Sequence, residues 1–203
     1  MSKTSIVKQS RREGYALHPK AHKALVKRQT LPGKQPGYSG RNKPSQYSLQ
    51  LREKQKVKRL YGLLERQFSN LMSEANRSEG QSGVVLLKFL EQRLDNAVYR
   101  AGFANSRPAA RQLVTHGHFM LNGRRVDIPS IRVKAGDIIT LRAHSQDNAY
   151  FKSLDELSPA GDTSYSWMKI DRKKRTITVS GEPTREEAEP DLNEQLIVEY
   201  YSR

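Results

Sequence analysis

The sequence predicts an α+β fold. A mostly helical first domain follows a basic, extended N-terminal arm, and a small mixed α/β module is inserted after it. Three observations predict this. Apolar residues recur at three- and four-residue steps from Val57 to Ala75 and again from Leu86 to Ala101, the period of amphipathic helices. Asn122-Gly123 sits between two short runs of strand-forming residues, the pattern of a tight hairpin. Charge is graded along the chain: residues 1–59 carry 16 Lys and Arg against 2 acids, residues 60–153 carry 13 against 8, and residues 154–203 carry 7 against 11.

Composition bounds the function. The 203 residues suffice for one or two domains, and a mean hydropathy of -0.79 leaves a modest core. No apolar run reaches the length of a membrane span, and the first residues lack a signal-peptide pattern. The chain is therefore expected in the cytoplasm, or in an organelle matrix. With no cysteine, disulfides and thiolate metal sites are excluded. His18 and His22 lie one helical turn apart, but two ligands do not close a zinc site, so no metal or other cofactor is expected. A net charge of +15 and a pI near 10.1 point to a polyanion. The basic arm lacks the Trp- or Phe-bearing apolar face of a membrane-surface helix. No phosphate loop, HExxH, G-x-S-x-G or dinucleotide fingerprint is present, so the reading is of a binder and not an enzyme. Asp95, beside Asn96, is read as a structural ion-pair partner and not a catalytic acid.

Residues 1–46 show no sustained period. Arg11-Arg12, the Lys20 to Arg28 cluster and the turn-rich LPGKQPGYSGRNKP predict an irregular arm with room for a helical turn or two at AHKALVKR. Such a segment orders against a large partner, where its cations neutralise phosphates and release counterions. A helix is predicted from Ser48, as N-cap, through Val57, Leu60, Tyr61, Leu64, Phe68, Leu71 and Ala75 toward Gly80. Its first turns carry Arg52, Lys54, Lys56, Lys58 and Arg59 with a single acid. These repel one another unless an anion is near, and they are assigned to phosphate.

After a Gly80 to Gly83 linker, a second helix is predicted to run unbroken to Gly102 at its C′ position. A third is capped by Ser106, carries Pro108 in its first turn and ends at Gly117. Arg107 and Arg111 share one face of it and, with the Ser106 hydroxyl, form a candidate phosphate cradle. His116 and His118 are read either as donors to RNA or as structural residues at a helix end. Arg124 and Arg125 follow the Asn122-Gly123 hairpin, and IRV and IITLR are predicted strands. Beyond Arg142 come a short helix at AYFKSLDEL, two strands around the Arg172 to Arg175 turn with Trp167 as a core anchor, and an acidic loop. LNEQLIVEYYSR fits either a helix capped by Asn193 or a strand. The expected organisation is an arm over 1–46, a helical domain over 47–92, the module over 93–152, and a segment over 153–203 that packs back on the helical domain.

RLDNAVYRAGF, SRPAARQLVTHGHFMLNGRRVDIPS and VKAGDIITLR resemble the small RNA-binding module named after bacterial small-subunit ribosomal protein S-four. That module also occurs in pseudouridine synthases and tyrosyl-tRNA synthetases. The flanks QLREKQKVKRLYGLLERQF and NEQLIVEYYSR are similar to the ribosomal family itself, and the resemblance runs from about Ser10 to Arg203. It implies early, direct binding to the 5′ domain of 16S-type small-subunit rRNA and nucleation of the subunit body. It also implies contacts with ribosomal proteins S-five and S-three, a share with S-five and S-twelve in translational accuracy, and a place on the channel through which messenger RNA enters.

Carried over residue by residue, the resemblance implies RNA contacts at Arg11, Arg12, Arg52, Lys54, Lys56, Lys58 and Arg59. In the module it implies them at Ser106, Arg107, Arg111, His116, Asn122, Arg124 and Arg125. Messenger contacts fall at Arg41 and Lys43, and the partner-protein contact at Tyr47, Glu199, Tyr200, Tyr201 and Arg203. Many family members hold zinc through four N-terminal cysteines. This chain resembles the zinc-free branch, so its arm is expected to be held by RNA and packing alone. It also lacks an additional Arg common after the position of Lys43-Pro44.

Overall fold

The structure, a computed structural model, describes residues 4–28, 30–33, 44–158 and 165–202. Arg41, Lys43 and Arg203 lie outside the described residues. The helices are α1 (Ile6–Glu13), α2 (Pro19–Lys27), α3 (Gln46–Leu60), α4 (Glu65–Arg77), α5 (Ser82–Glu91), α6 (Leu94–Arg100), α7 (Arg107–Thr115), α8 (Ala143–Gln146), α9 (Ala149–Lys152), α10 (Leu154–Leu157) and α11 (Glu194–Tyr201). The strands are β1 (Phe119–Leu121), β2 (Arg124–Val126), β3 (Ile138–Leu141), β4 (Met168–Asp171) and β5 (Thr176–Val179). The α+β class is thus observed. The chain divides into two compact units, residues 1–83 with 191–203, and residues 84–190.

In the first unit, α1 is a regular helix where the sequence predicts an irregular arm, and α2 lengthens the helical turn or two expected at AHKALVKR. Polar contacts do what an apolar stripe does elsewhere. The buried Ser10 Oγ donates to the Ile6 carbonyl and accepts from the Leu17 amide, the Arg11 guanidinium donates to the Thr30 carbonyl at 2.6 Å, and His18 Nδ1 caps α2 by accepting from the Lys20 amide. Hydroxyl, imidazole and guanidinium clips leave no 3.6-residue hydrophobic period, which is why the pattern is silent here.

The long helix predicted from Ser48 is two helices. Ser45, not Ser48, is the N-cap and accepts from the Ser48 amide. The break follows from Gly62, whose φ of 64° lets its amide reach the Arg59 carbonyl while the Leu63 amide reaches Lys58, a Schellman ending. The three- and four-residue spacing of Tyr61, Leu64 and Phe68 happens to continue across that turn. The C-terminal segment resolves as a helix: Asn193 Oδ1 accepts from the Leu196 amide, and α11 packs on α3 with Ile197 fully buried.

In the second unit one five-stranded antiparallel sheet, in the order β2-β1-β3-β5-β4, covers a core that includes Leu94, Val98, Phe103, Val114, Phe119, Ile139, Phe151, Trp167 and Ile177. Phe103, Phe119 and Phe151 meet at ring centroids 6.2 to 6.4 Å apart. The Asn122-Gly123 turn has φ of 51° and 79°, the two positive values that a type I′ hairpin requires. The helix predicted to run unbroken to Gly102 is interrupted at Gln92-Arg93. There the backbone is diverted to the 131–133 segment, with the Leu94 amide on the Ile131 carbonyl and the Val133 amide on Gln92. Ile131 to Val133 is correspondingly not a sheet strand, its only bridge being Arg132 to Arg93. β4 and β5 join the same sheet as the hairpin. Of the residues after 153, 191–203 group with residues 1–83, and the rest belong to the second unit.

Candidate RNA interface

The basic stretch of α3 is held by acids of the chain itself. Glu13, its side chain inaccessible to solvent, places Oε1 against Arg52 at 3.2 Å and against Arg59. Burial raises the Glu13 pKa, and the neighbouring Arg52, Arg59, Arg12 and Lys56 oppose that rise without cancelling it. Glu65 accepts from Lys54 and Lys58, each at 2.6 Å, and from the Tyr201 hydroxyl at 3.0 Å. Burial raises the Glu65 pKa, but these three hydrogen bonds outweigh it and hold the value to about 2. Lys56 pairs with Glu53 at 2.9 Å and reaches the Asp191 carbonyl. The nearby anions of these cations are carboxylates of the chain itself.

Lys54 departs furthest from expectation. It is 3% exposed, with its ammonium 4.3 Å from the Tyr200 ring centroid, and so is removed from the solvent face on which phosphate contact was expected. Arg52, Lys56, Lys58 and Arg59 keep partial exposure. Arg11 is committed to Thr30, whereas Arg12 is exposed and lines a shallow basic pocket of about 290 Å³ with Thr4, Lys8, Gln9, Pro32 and Arg59.

In the second unit, α7 turns its Arg107–Arg111 face onto acids. Arg111 meets Asp95 at 2.8 Å, and Arg93 meets the same carboxylate at 2.9 Å, so Asp95 is the ion-pair partner the sequence indicates. Arg107 donates to Asn96 Oδ1 at 2.9 Å and to Glu189 at 2.8 Å, and stacks over Tyr99. Arg100 joins the same network through Glu91. Ser106 is buried; its Oγ accepts from the Ala109 amide and donates to Asn105 Oδ1. Asn122 is exposed but structurally engaged, donating to Asp137 and accepting from the Ile138 amide. His116 is exposed at the C-cap of α7.

Arg124 and Arg125 are exposed on β2. The Arg125 guanidinium folds back over Gly117, where a Cβ would lie 2.5 Å from its Nε; a side chain there would displace Arg125 and be strained by the φ of 70°. At the expected partner-protein surface, Tyr47 is half exposed with its ring 5.8 Å from Tyr200, Glu199 accepts from Gln50 at 2.8 Å, and Tyr201 is tied to Glu65.

The residues that sequence reasoning missed are the acids, Glu13, Glu65 and Glu189. Their signal is faint: Glu13 is one of only two acids in residues 1–59, and Glu189 lies in a loop read simply as acidic.

Residues 2–91 match the family described as "Ribosomal protein S4/S9 N-terminal domain", and residues 92–139 match "S4 domain". A Clostridioides difficile protein described as "Small ribosomal subunit protein uS4" is 50% identical over 202 residues, covering 97% of this chain and 96% of its own. The chain belongs to the uS4 family. uS4 proteins of Herpetosiphon aurantiacus and Syntrophomonas wolfei are 49% and 47% identical, each across 98% of this chain and 97% of their own. The family's S4-domain match ends at residue 139, inside β3, so β4 and β5 extend the sheet of this uS4 chain beyond it. Among the described residues no helix is long and apolar enough to cross a membrane.

Proposed function

We propose that this chain is a structural constituent of the small ribosomal subunit in the cytoplasm. In this reading it binds the 5′ domain of 16S-type rRNA directly and early, nucleates assembly of the body and, with ribosomal proteins S-five and S-twelve, contributes to translational accuracy. The observation that carries the reading is 49–50% identity to uS4 proteins over nearly the full length, in a chain of net charge +15. The exposed Arg12, Arg124, Arg125 and His116, with the partly exposed cations of α3, are the phosphate and base contacts. Arg107 and Arg111, held by Glu189 and Asp95 within the second unit, meet phosphate only at their solvent-exposed margins. The Tyr47–Tyr200 surface receives ribosomal protein S-five, S-three is a further neighbour, and Arg41 and Lys43 meet incoming messenger RNA.

Filter binding to transcripts of the isolated 5′ domain, across a salt series, tests the reading. Affinity should fall steeply and linearly on a log–log salt plot and exceed that for unrelated RNA of equal length. Equal affinity for both RNAs overturns it.

A further inference from the structure

The topology gathers cations from separate segments at one end of the five-stranded sheet. In the row where Val126, Phe119 and Leu141 pair side by side, the Leu141 amide donates to the Arg175 carbonyl, and the Arg142 amide to the His118 carbonyl. The β4–β5 turn, Arg172 to Arg175, therefore closes at the same end as Arg142 and as the Gly117 loop that Arg125 overlies. Within that turn Arg172 and Arg175 are anchors, bound to the Ser158 and Phe151 carbonyls. This fixes the backbone and leaves Lys173 and Lys174 at the tip, both exposed.

None of Arg125, Arg142, Lys173 and Lys174 has a carboxylate partner among the described residues. Of the acids near the turn, Asp171 accepts from the Lys174 amide, and Asp155 pairs with Arg172. The arginines named on α3 and α7 are ion-paired, whereas among the described residues these cations are not. Four interstrand steps span roughly 19 Å from β2 to β4, long enough to follow several phosphates instead of gripping one.

We infer that Arg125, Arg142, Lys173 and Lys174 form a second phosphate-binding surface, and that its ligand is the backbone of a structured rRNA helix. The inference rests on the rRNA-binding reading above and extends it beyond the matched S4 domain, because Arg142, Lys173 and Lys174 all follow residue 139. A helical backbone fits better than unpaired bases. The nearby rings of Phe119, Phe151 and Trp167 are buried, and His116, exposed at this end, offers only a small imidazole.

The experiment compares the full-length chain with Lys173→Ala/Lys174→Ala on 5′-domain rRNA over 50 to 200 mM salt. A control, Lys134→Ala/Lys169→Ala, removes the same charge from positions away from the turn. The tip variant should lose about two units of log–log salt slope, so that wild-type affinity falls roughly tenfold further than the variant's across that range. Arginine at both positions should restore the slope, and circular dichroism should show the same fold. An unchanged slope in the tip variant, or an equal loss in the control, overturns the second surface while leaving the rRNA-binding reading intact. A wild-type chain that shows no salt-dependent preference for this RNA overturns both.

Discussion

Replacing Glu65 tests the view that α3 is held by internal carboxylates. Its oxygens take Lys54 and Lys58 at 2.6 Å, and Lys54 is buried, with 4% of its side chain exposed. Removing the partner of a fully buried charge costs about 3–5 kcal/mol. Two features of this site reduce that figure. Glu65 itself is 49% exposed, so water partly replaces it, and the Tyr200 ring 4.3 Å from the ammonium retains some attraction. The expected cost of Glu65→Ala is therefore about 2 kcal/mol, or roughly 8 °C in Tm for a unit of this size.

Thermal melts of wild type, Glu65→Ala, Lys54→Met and the double variant isolate the pair. The coupling should be about 1–2 kcal/mol, and a value within about 0.3 kcal/mol of zero refutes the argument. The pH dependence adds a second check. A carboxylate held at about 2 binds fewer protons folded than unfolded. Its stabilisation is complete above the ordinary value of 4.5 and is lost as pH falls toward 2, so the gap between wild type and Glu65→Gln should close over that window.

Phe119→Ala empties the centre of the Phe103–Phe119–Phe151 cluster and should cost about 3–5 kcal/mol, read as an early melt of the second unit by calorimetry. Asp95→Asn strips the charge shared by Arg93 and Arg111 and should cost about 2 kcal/mol in chemical denaturation, whereas a surface ion pair would cost well under 1. His118 has its pKa lowered by burial, then by His116 and Arg142. Its unfolded form binds protons first, so wild-type stability should fall relative to His118→Gln as pH drops below 6.5, seen by paired melts at pH 8 and pH 5.

What could be read in advance follows from which interactions leave a pattern in the chain. The Asn122-Gly123 hairpin, the Gly102 and Gly117 helix ends and the burial of Trp167 were legible because each depends on one residue type in one backbone state or on bulk apolar volume. The α3–α4 break was not, because apolar spacing continues across Gly62 while the backbone does not. α1 was hidden because hydroxyl and guanidinium contacts at Ser10, Arg11 and Thr30 replace an apolar face. The cationic types of the candidate site were plain, but exposure was not. Charge alone does not separate Lys54, turned inward to Glu65, from Lys173, turned outward, since the pairing acid lies on the next helix, beyond the Gly62 turn.

α11 packs on α3, yet all of residues 84–190 separates them in the chain. At synthesis rates of about 5–20 residues per second, α3 waits on the order of ten seconds for the helix that covers it. The contiguous second unit can close during that interval, reversing the usual order in which the first part of a chain folds first. A nascent chain halted before residue 191 would therefore hold a finished sheet and an open helical bundle. Gln50 would lack the Glu199 carboxylate, and the space occupied by Ile197 would stand open to any chaperone within reach.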